Sequence, residues 1–269
     1  MFCDIIADME KIVSLNNVTK IYNGRIIINE VSHDFHKGDS IAFTGHNGCG
    51  KSTLLKILAG LVRINKGKVE HSRKIRFSYV PEKMPALDIT AYSYLKSVAS
   101  MEGVEESEFI SLAEDFFVED MLYTKMRNLS KGSIQKIGVI QALMAPKDII
   151  LLDEPLNGQD ADSQAVFISK IKEMKNNGIT VFMSCHERKL IEELSDKQFT
   201  IIKGKLTEVS IDKMVMYKIF VKDSHLKPWP DMTRNGYKYM LVVRENEIKN
   251  TVQKLFAEGW ELVGVEEFI

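Results

Sequence analysis

Residues Gly45 to Thr53 read GHNGCGKST, which satisfies every fixed position of the pattern G-x-x-x-x-G-K-[ST]. The motif follows the apolar run Ser40-Ile41-Ala42-Phe43-Thr44 and precedes Leu54-Leu55-Lys56-Ile57-Leu58, so the order is strand, loop, helix. A glycine-rich turn arising by chance has no need of those flanks. Gly45, Gly48 and Gly50 let the backbone bend tightly, so that amides of His46, Asn47, Gly48, Cys49 and Gly50 can face phosphate oxygens. The helix that starts at Lys51 turns its positive end toward the same anion. Lys51 is expected to reach the β- and γ-phosphates and the Ser52 hydroxyl to ligate Mg²⁺, with Thr53 beside it. The chain is therefore expected to bind a nucleoside triphosphate.

With 269 residues the chain can bury one substantial core and a small second domain. Its 36 basic and 37 acidic residues nearly cancel, so no global field recruits nucleic acid or anionic lipid. The most basic run, His71-Ser72-Arg73-Lys74-Ile75-Arg76-Phe77, partly alternates with apolar residues and reads as the wet face of a strand. Cys3, Cys49 and Cys185 are far apart and odd in number, which argues for a reducing compartment and against a disulfide or zinc framework. His33, His36, His46 and His71 lack metal-ligand spacing. Asp4, Asp8 and Glu10 stand where a signal peptide would be basic and then apolar. No stretch approaches the roughly 20 apolar residues that cross a bilayer. A cytoplasmic location is expected.

Ahead of the loop, Ile12 to Ile21 and Ile26 to Phe35 read as strands joined by the turn Tyr22-Asn23-Gly24-Arg25. Beyond it, a helix should stop at Gly60 and a strand should lie at Phe77 to Val80. From Met84 to Asn128 the pattern turns helical, as in Tyr92 to Met101 and Glu108 to Phe117, and forms an insert within the nucleotide core. The run Asp148-Ile149-Ile150-Leu151-Leu152, apolar after its first residue, is expected as a central parallel strand, and Ile179 to Ser184 as another. A separate unit is expected over 210–269. There Val215, Tyr217, Ile219 and Val221 alternate, Tyr237 to Arg244 reads as a strand, Ile248, Val252, Leu255 and Phe256 recur at helical spacing, and Trp260 to Val265 reads as a further strand.

The apolar run ends in Asp153-Glu154-Pro155, which sets two carboxylates at a strand end. Asp153 is expected to hold Mg²⁺ through water, and Glu154 to orient or deprotonate water in line with the γ-phosphate. Just upstream stands Asn128-Leu129-Ser130-Lys131-Gly132-Ser133-Ile134-Gln135-Lys136. Here the sequence resembles the ATP-binding cassette (ABC) family, whose signature is usually written LSGGQ; the resemblance covers about Lys11 to Lys205. It implies an α/β fold with a P-loop NTPase (RecA-like) core, an antiparallel β subdomain, a helical subdomain at about 84–128 and, outside the 11–209 ATPase domain, a small C-terminal α+β unit.

The resemblance further implies that Tyr22 stacks on adenine, that Ser130 and Gly132 cover the nucleotide of a second cassette, and that Asn157-Gly158-Gln159-Asp160 communicates across the dimer. His186 matches the family's switch histidine at the γ-phosphate. Two composite sites in a homodimer or heterodimer follow, in which ATP joins the subunits and hydrolysis parts them. Three positions depart from the pattern. Lys131 replaces a signature glycine, Ser133 the usual glutamine, and Glu82, in Tyr79-Val80-Pro81-Glu82, the metal-sensing glutamine. A carboxylate at position 82 can still bind Mg²⁺. Cys49, between Gly48 and Gly50, is expected to carry its thiol beside the phosphates and to alkylate readily, with Cys185 as the competing site.

The implied activity is ATP hydrolysis that powers a membrane transporter whose permease chains are separate, which puts the chain peripherally on the cytoplasmic face of the membrane. Lys131 and Pro81-Glu82 look more like exporter than importer cassettes. A soluble assembly or remodelling ATPase is the alternative. Its ribosome-acting forms usually join two cassettes through a charged linker and its chromosome-acting forms insert a long coiled coil, and this chain has neither.

Overall fold

The computed structural model describes residues 10–210, 216–222, 226–244 and 247–268. Cys3, Asp4, Asp8 and Val215, used above, lie outside the described residues. The chain divides into two compact units, Met1–Ile211 and Asp212–Ile269.

In chain order the first unit comprises β1 (Lys11–Tyr22), β2 (Arg25–His36), β3 (Ser40–Thr44), α1 (Lys51–Leu58), β4 (Lys66–His71) and β5 (Phe77–Val80). There follow α2 (Ala91–Glu102), α3 (Glu106–Asp115), α4 (Lys131–Met144), β6 (Ile149–Asp153), α5 (Ala161–Asn176), β7 (Thr180–Ser184), α6 (Arg188–Leu194), β8 (Lys197–Ile202) and β9 (Lys205–Val209). β1 and β2 pair antiparallel through a two-residue turn in which Asn23 and Gly24 have φ of 48° and 77°. Both central residues of the tightest hairpin turn need positive φ, which Asn and Gly tolerate. With β4 they make a three-stranded sheet of order β2-β1-β4.

A second sheet runs β5-β6-β7-β3-β8-β9, parallel as far as β8 and closed by the antiparallel β9. β6 is buried along its whole length and explains the unbroken apolar run. Ile150 and Leu152 enter the core built with the helices α2 to α6, whereas Ile149 and Leu151 enter the core shared with α1, β1 and β2. A strand covered on both faces has no polar side to show.

Between β5 and α4 the chain forms the expected helical insert. Thr90 caps α2 by accepting from Ser93 N at 3.1 Å, and Gly103, with φ of 67°, ends it. Phe109 and Phe116 of the α3 region are fully buried against α2 and α4, each side chain contributing about 1.5–3 kcal/mol of transfer free energy.

One expectation needs correction. His71 to Phe77 is not one strand: β4 ends at His71, β5 begins at Phe77, and the residues between cross from one sheet to the other. Asp148 pairs with the Arg73 guanidinium, accepting from Nη2 at 3.0 Å, and ties the crossing down by accepting from the Arg76 backbone N–H at 2.9 Å. β4, β8 and β9 were not anticipated, because β4 and β9 are largely exposed and carry little apolar alternation.

The second unit contains β10 (Met216–Lys222), β11 (Thr233–Asn235), β12 (Lys238–Arg244), α7 (Ile248–Ala257) and β13 (Leu262–Phe268). Its antiparallel sheet has the order β11-β12-β10-β13. Ile219, Val221, Leu241 and Val243 pack with Leu255 and Trp260. β11 is three exposed residues and left no trace in the hydropathy pattern.

Candidate active site

Four neighbouring parallel strands end at one rim of the sheet, and each delivers a singled-out residue just beyond its carboxyl end. β3 leads into Gly45, β5 into Pro81-Glu82, β6 into Asp153-Glu154, and β7 into Cys185-His186. Such a rim is where parallel sheets bind ligands.

The loop at the end of β3 bends through three glycines in the left-handed region. Gly45, Gly48 and Gly50 have φ of 131°, 76° and 119°, and Gly50 is the N-cap of α1 with no side chain to satisfy the first amides. No acidic residue occupies the first turn of α1. The helix therefore keeps donors and a positive end for an anion. His46, Asn47 and Gly48 are exposed, Ser52 and Thr53 half-buried. The Cys49 thiol does not line the mouth. Cys49 is buried in the core with Ile28 and Phe43, and a Cβ on Gly45 would lie 2.8 Å from its Sγ. Only its backbone borders the loop, where its N–H donates to His46 O at 3.1 Å.

Lys51 is 7 % exposed and crosses the mouth: its Nζ donates to Gly45 O at 3.1 Å, meets His186 Nε2 at 3.0 Å and lies 3.9 Å from Glu154 Oε1. His186 Nε2 is also 3.2 Å from Glu154 Oε1 and 3.2 Å from Asn47 Oδ1. A proton on that nitrogen can serve either oxygen, while a bare nitrogen can accept from Lys51. Glu154 sits at φ of 48°, held there as its N–H donates to Ser184 O at 3.0 Å. A non-glycine residue in that region stores of order 1–3 kcal/mol and persists only when its surroundings hold it. Burial raises its carboxyl above the ordinary range, against the lowering effect of His186 and Lys51. A carboxylate of raised basicity is the better proton acceptor.

Asp153 is 1 % exposed. Its Oδ1 accepts from Ser52 Oγ at 2.9 Å and Ser184 Oγ at 2.6 Å, and its Oδ2 accepts from Tyr79 OH at 3.1 Å. Ser52, Tyr79, Glu82, Asp153 and Lys56 line a recess of about 200 Å³, so Glu82 faces the same space as Ser52 and Asp153. Among the described residues no three Asp, Glu, His or Cys side chains gather as a ready-made metal cage. The donors are hard oxygens, few in number, which suits an ion that keeps waters and takes phosphate oxygens, as Mg²⁺ does.

The signature segment stands with a different neighbour. Ser130 caps α4, accepting from Ser133 N at 3.1 Å, and a Cβ on Gly132 would lie 2.5 Å from Gly158 O. Only glycine allows Asn157–Asp160 to come so close. Lys136, buried one turn further on, donates to Phe116 O at 3.0 Å and pairs with Asp160 Oδ2 at 2.7 Å. Lys131 is exposed. Tyr22, 43 % exposed, ends β1 with Lys20 Nζ 4.5 Å above its ring. The structure thus brings together Lys51, Ser52, Glu82, Asp153, Glu154 and His186. Tyr22 belongs to the neighbouring sheet, and Ser130 and Gly132 to the α4 end. Tyr79, Ser184 and Asn47 touch this set without having been singled out for the contacts they make. The one available signal for Ser184 was its place at the end of an expected parallel strand.

Residues 28–157 match the family described as ABC transporter. An ABC transporter ATP-binding protein of Methanocaldococcus jannaschii is 32% identical over 203 residues, covering 73% of this chain and 76% of that protein. The lantibiotic transport ATP-binding protein SrtF of Streptococcus pyogenes is 31% identical over 202 residues, 72% of this chain and 88% of its own. The zinc import ATP-binding protein ZnuC of Ruegeria is 30% identical over 191 residues, with 70% and 76% covered. A solved dimeric ATP-binding cassette with ADP and phosphate superposes with a TM-score of 0.67 at 20% identity, over 74% of this chain and 98% of that one, and so shares the fold. With a phosphate loop, paired carboxylates and histidine on one rim, and relatives above 30% identity across most of its length, this chain belongs to the ATP-binding subunits of ABC transporters.

Proposed function

We propose that this chain hydrolyses ATP at the rim formed by β3, β5, β6 and β7 and passes the resulting movement to separate membrane-embedded permease chains. The observation that carries the reading is the convergence of Lys51, Glu154 and His186, with Nζ, Oε1 and Nε2 between 3.0 and 3.9 Å apart. Loop amides and the α1 terminus bind the phosphates, and Lys51 neutralises charge at the transferred group. Glu154 holds and deprotonates the attacking water. His186, within reach of Glu154 and Asn47, orients the γ-phosphate. Ser52, Asp153 and Glu82 would hold Mg²⁺, which when bound draws negative charge from the phosphate oxygens. Tyr22 stacks on adenine.

Ser130 caps α4 and Gly132, in its first turn, abuts Gly158; that placement supports a second cassette, identical or different, presenting its signature to this site. Among the described residues no helix is long and apolar enough to cross a membrane. Attachment to the cytoplasmic face therefore runs through the permease in this reading. We assign export on Lys131 and Pro81-Glu82; relatives named for lantibiotic transport and for zinc import match about equally well, so the direction rests on these residues alone. Purification of the tagged chain from detergent-solubilised membranes, with identification of a polytopic partner, tests the assignment. Stimulation of ATPase activity by that partner is expected. Active ATPase that associates only with ribosomes or a soluble scaffold would replace the transporter reading with that of a remodelling factor. Uptake of cargo into inside-out vesicles separates export from import.

A further inference from the structure

Asp153 is held by three donors from three different elements. Ser52 comes from α1, Ser184 from β7 and Tyr79 from β5, and Tyr79 alone reaches Oδ2. A carboxylate turns readily about its Cβ–Cγ bond, and donors on both oxygens fix its plane. Tyr79 is itself tied at its main chain. Its carbonyl accepts from Gln141 Nε2 at 3.1 Å, and two residues on, Pro81 O accepts from Gln135 Nε2 at 2.8 Å. Both glutamines belong to α4, the helix that begins at the signature segment. Further along, α4 presses Gly138 against Met84, where a Cβ would lie 2.3 Å from Met84 Cγ. One residue thus links the signature helix, through its backbone, to the carboxylate beside the phosphate loop, through its hydroxyl.

We propose that Tyr79 is a positioning residue for Asp153, whose hydroxyl fixes the carboxylate plane so that Ser52 and Asp153 present their oxygens correctly to the divalent cation that accompanies ATP. The inference rests on the reading of Asp153 as the metal-side carboxylate. A phenol keeps its proton in the neutral range, so the Tyr79 hydroxyl is a donor to Oδ2 there. Phenylalanine at this position keeps the ring that packs against the core beneath β5 and deletes only the donor. Oδ2 then loses its side-chain partner, and the carboxylate is free to turn about its Cβ–Cγ bond. Groups that orient a metal ligand typically change metal affinity by 10–100-fold when removed.

The test is Tyr79→Phe in the full chain, with binding of a fluorescent ATP analogue followed in EDTA and along a Mg²⁺ titration, and Mn²⁺ binding followed by electron paramagnetic resonance. The expected result is a rise of about tenfold in the Mg²⁺ and Mn²⁺ concentrations for half-saturation, with a shift below about twofold in EDTA. Asp153→Asn is expected to shift the metal dependence at least as far. Gln141→Ala, which frees the Tyr79 carbonyl but leaves the hydroxyl, is expected to shift it less than Tyr79→Phe. If Asp153→Asn shifts the metal dependence and Tyr79→Phe does not, the positioning role is wrong while the reading of Asp153 stands. If Asp153→Asn leaves it unchanged, the reading of Asp153 falls and the proposal with it. An equal loss of affinity in EDTA and in Mg²⁺ for Tyr79→Phe assigns the phenol to packing alone and overturns the proposal.

Discussion

Replacing Gly132 with alanine tests the contact on which the signature segment depends. The new Cβ would lie 2.5 Å from the carbonyl oxygen of Gly158, closer than real Cβ atoms come to any neighbour. That oxygen is main chain and cannot rotate aside, so Asn157–Asp160 or the first turn of α4 must move by at least about half an ångström. Such overpacking costs about 1–3 kcal/mol, and the gain in helix propensity returns up to about 1 kcal/mol. With that gain realised in full the net loss is up to about 2 kcal/mol, which corresponds to a fall in melting temperature of up to about 8 °C for a unit of this size.

Two further glycines calibrate the result. At Gly138 the obstacle is the Met84 side chain, 2.3 Å from the would-be Cβ but able to swing aside, so Gly138→Ala should cost less. At Gly264 nothing lies within 4 Å, and alanine should be neutral within about 0.5 kcal/mol. Thermal melts of the three variants, with hydrogen exchange followed over residues 156–160, supply the comparison. Exchange at that segment should accelerate in Gly132→Ala alone. A Gly132→Ala protein that melts with the parent and exchanges like it would refute the argument that the signature helix and the loop are in enforced contact.

Glu154→Gln should retain ATP binding but slow single-turnover hydrolysis by at least about a hundredfold, because the amide keeps the size and loses the base; near-parental turnover would remove Glu154 from that role. In a Cys3→Ser background, maleimide should label Cys49 and Cys185 at least about tenfold slower in the folded protein than in guanidinium, since both are packed in the core and burial pushes the Cys185 thiol up. Rapid labelling of Cys49, read by peptide mass spectrometry, would restore the thiol to the loop mouth. The hydrogen bond from Lys136, followed by that from Ser163 N–H, holds the Asp160 carboxyl below its ordinary 3.8. Its contribution is therefore complete above that pH and declines as the pH falls below it. Asp160→Asn, which can still cap α5, should melt lower than the parent at pH 7, with the gap narrowing below about pH 4; a gap that persists into acid would assign the loss to something other than the charge.

The parts legible in the sequence were those where local pattern and tertiary role coincide. The phosphate loop carries its own strand and helix, and β6 shows its two-sided burial as an unbroken apolar run ending in Asp153. The Asn23-Gly24 turn announces positive φ by residue type. What escaped was decided by partners distant in the chain. β9 is mostly exposed and owes its existence to β8, and β4 to β1. Cys49 lies between two glycines of a solvent-facing motif, yet its side chain turns inward because the core beneath Gly45 has room for a thiol. The positive run at Arg73 to Arg76 looked like a wet strand because its partner, Asp148, is far along the chain. Tyr79 read as one more strand aromatic, since its hydroxyl finds Asp153 only once β5 and β6 are side by side.

The order of strands in the larger sheet also dictates when this protein can first become itself during synthesis. β3, which carries the phosphate loop, lies between β7 and β8: Ser40 aligns with Val181 and Ile41 with Lys197. At about 5–20 residues per second, a ribosome needs roughly 7–30 seconds to go from one set of partners to the other. Until β7 and β8 emerge the loop's strand has two bare edges, and the rim lacks His186 even after Glu154 has been made. A hairpin of β1 and β2 can form early, because its closure is local. Nucleotide binding at this rim waits for β7 and β8 to seat β3, and the hazard of mispairing falls on the segment that will later hold the phosphates.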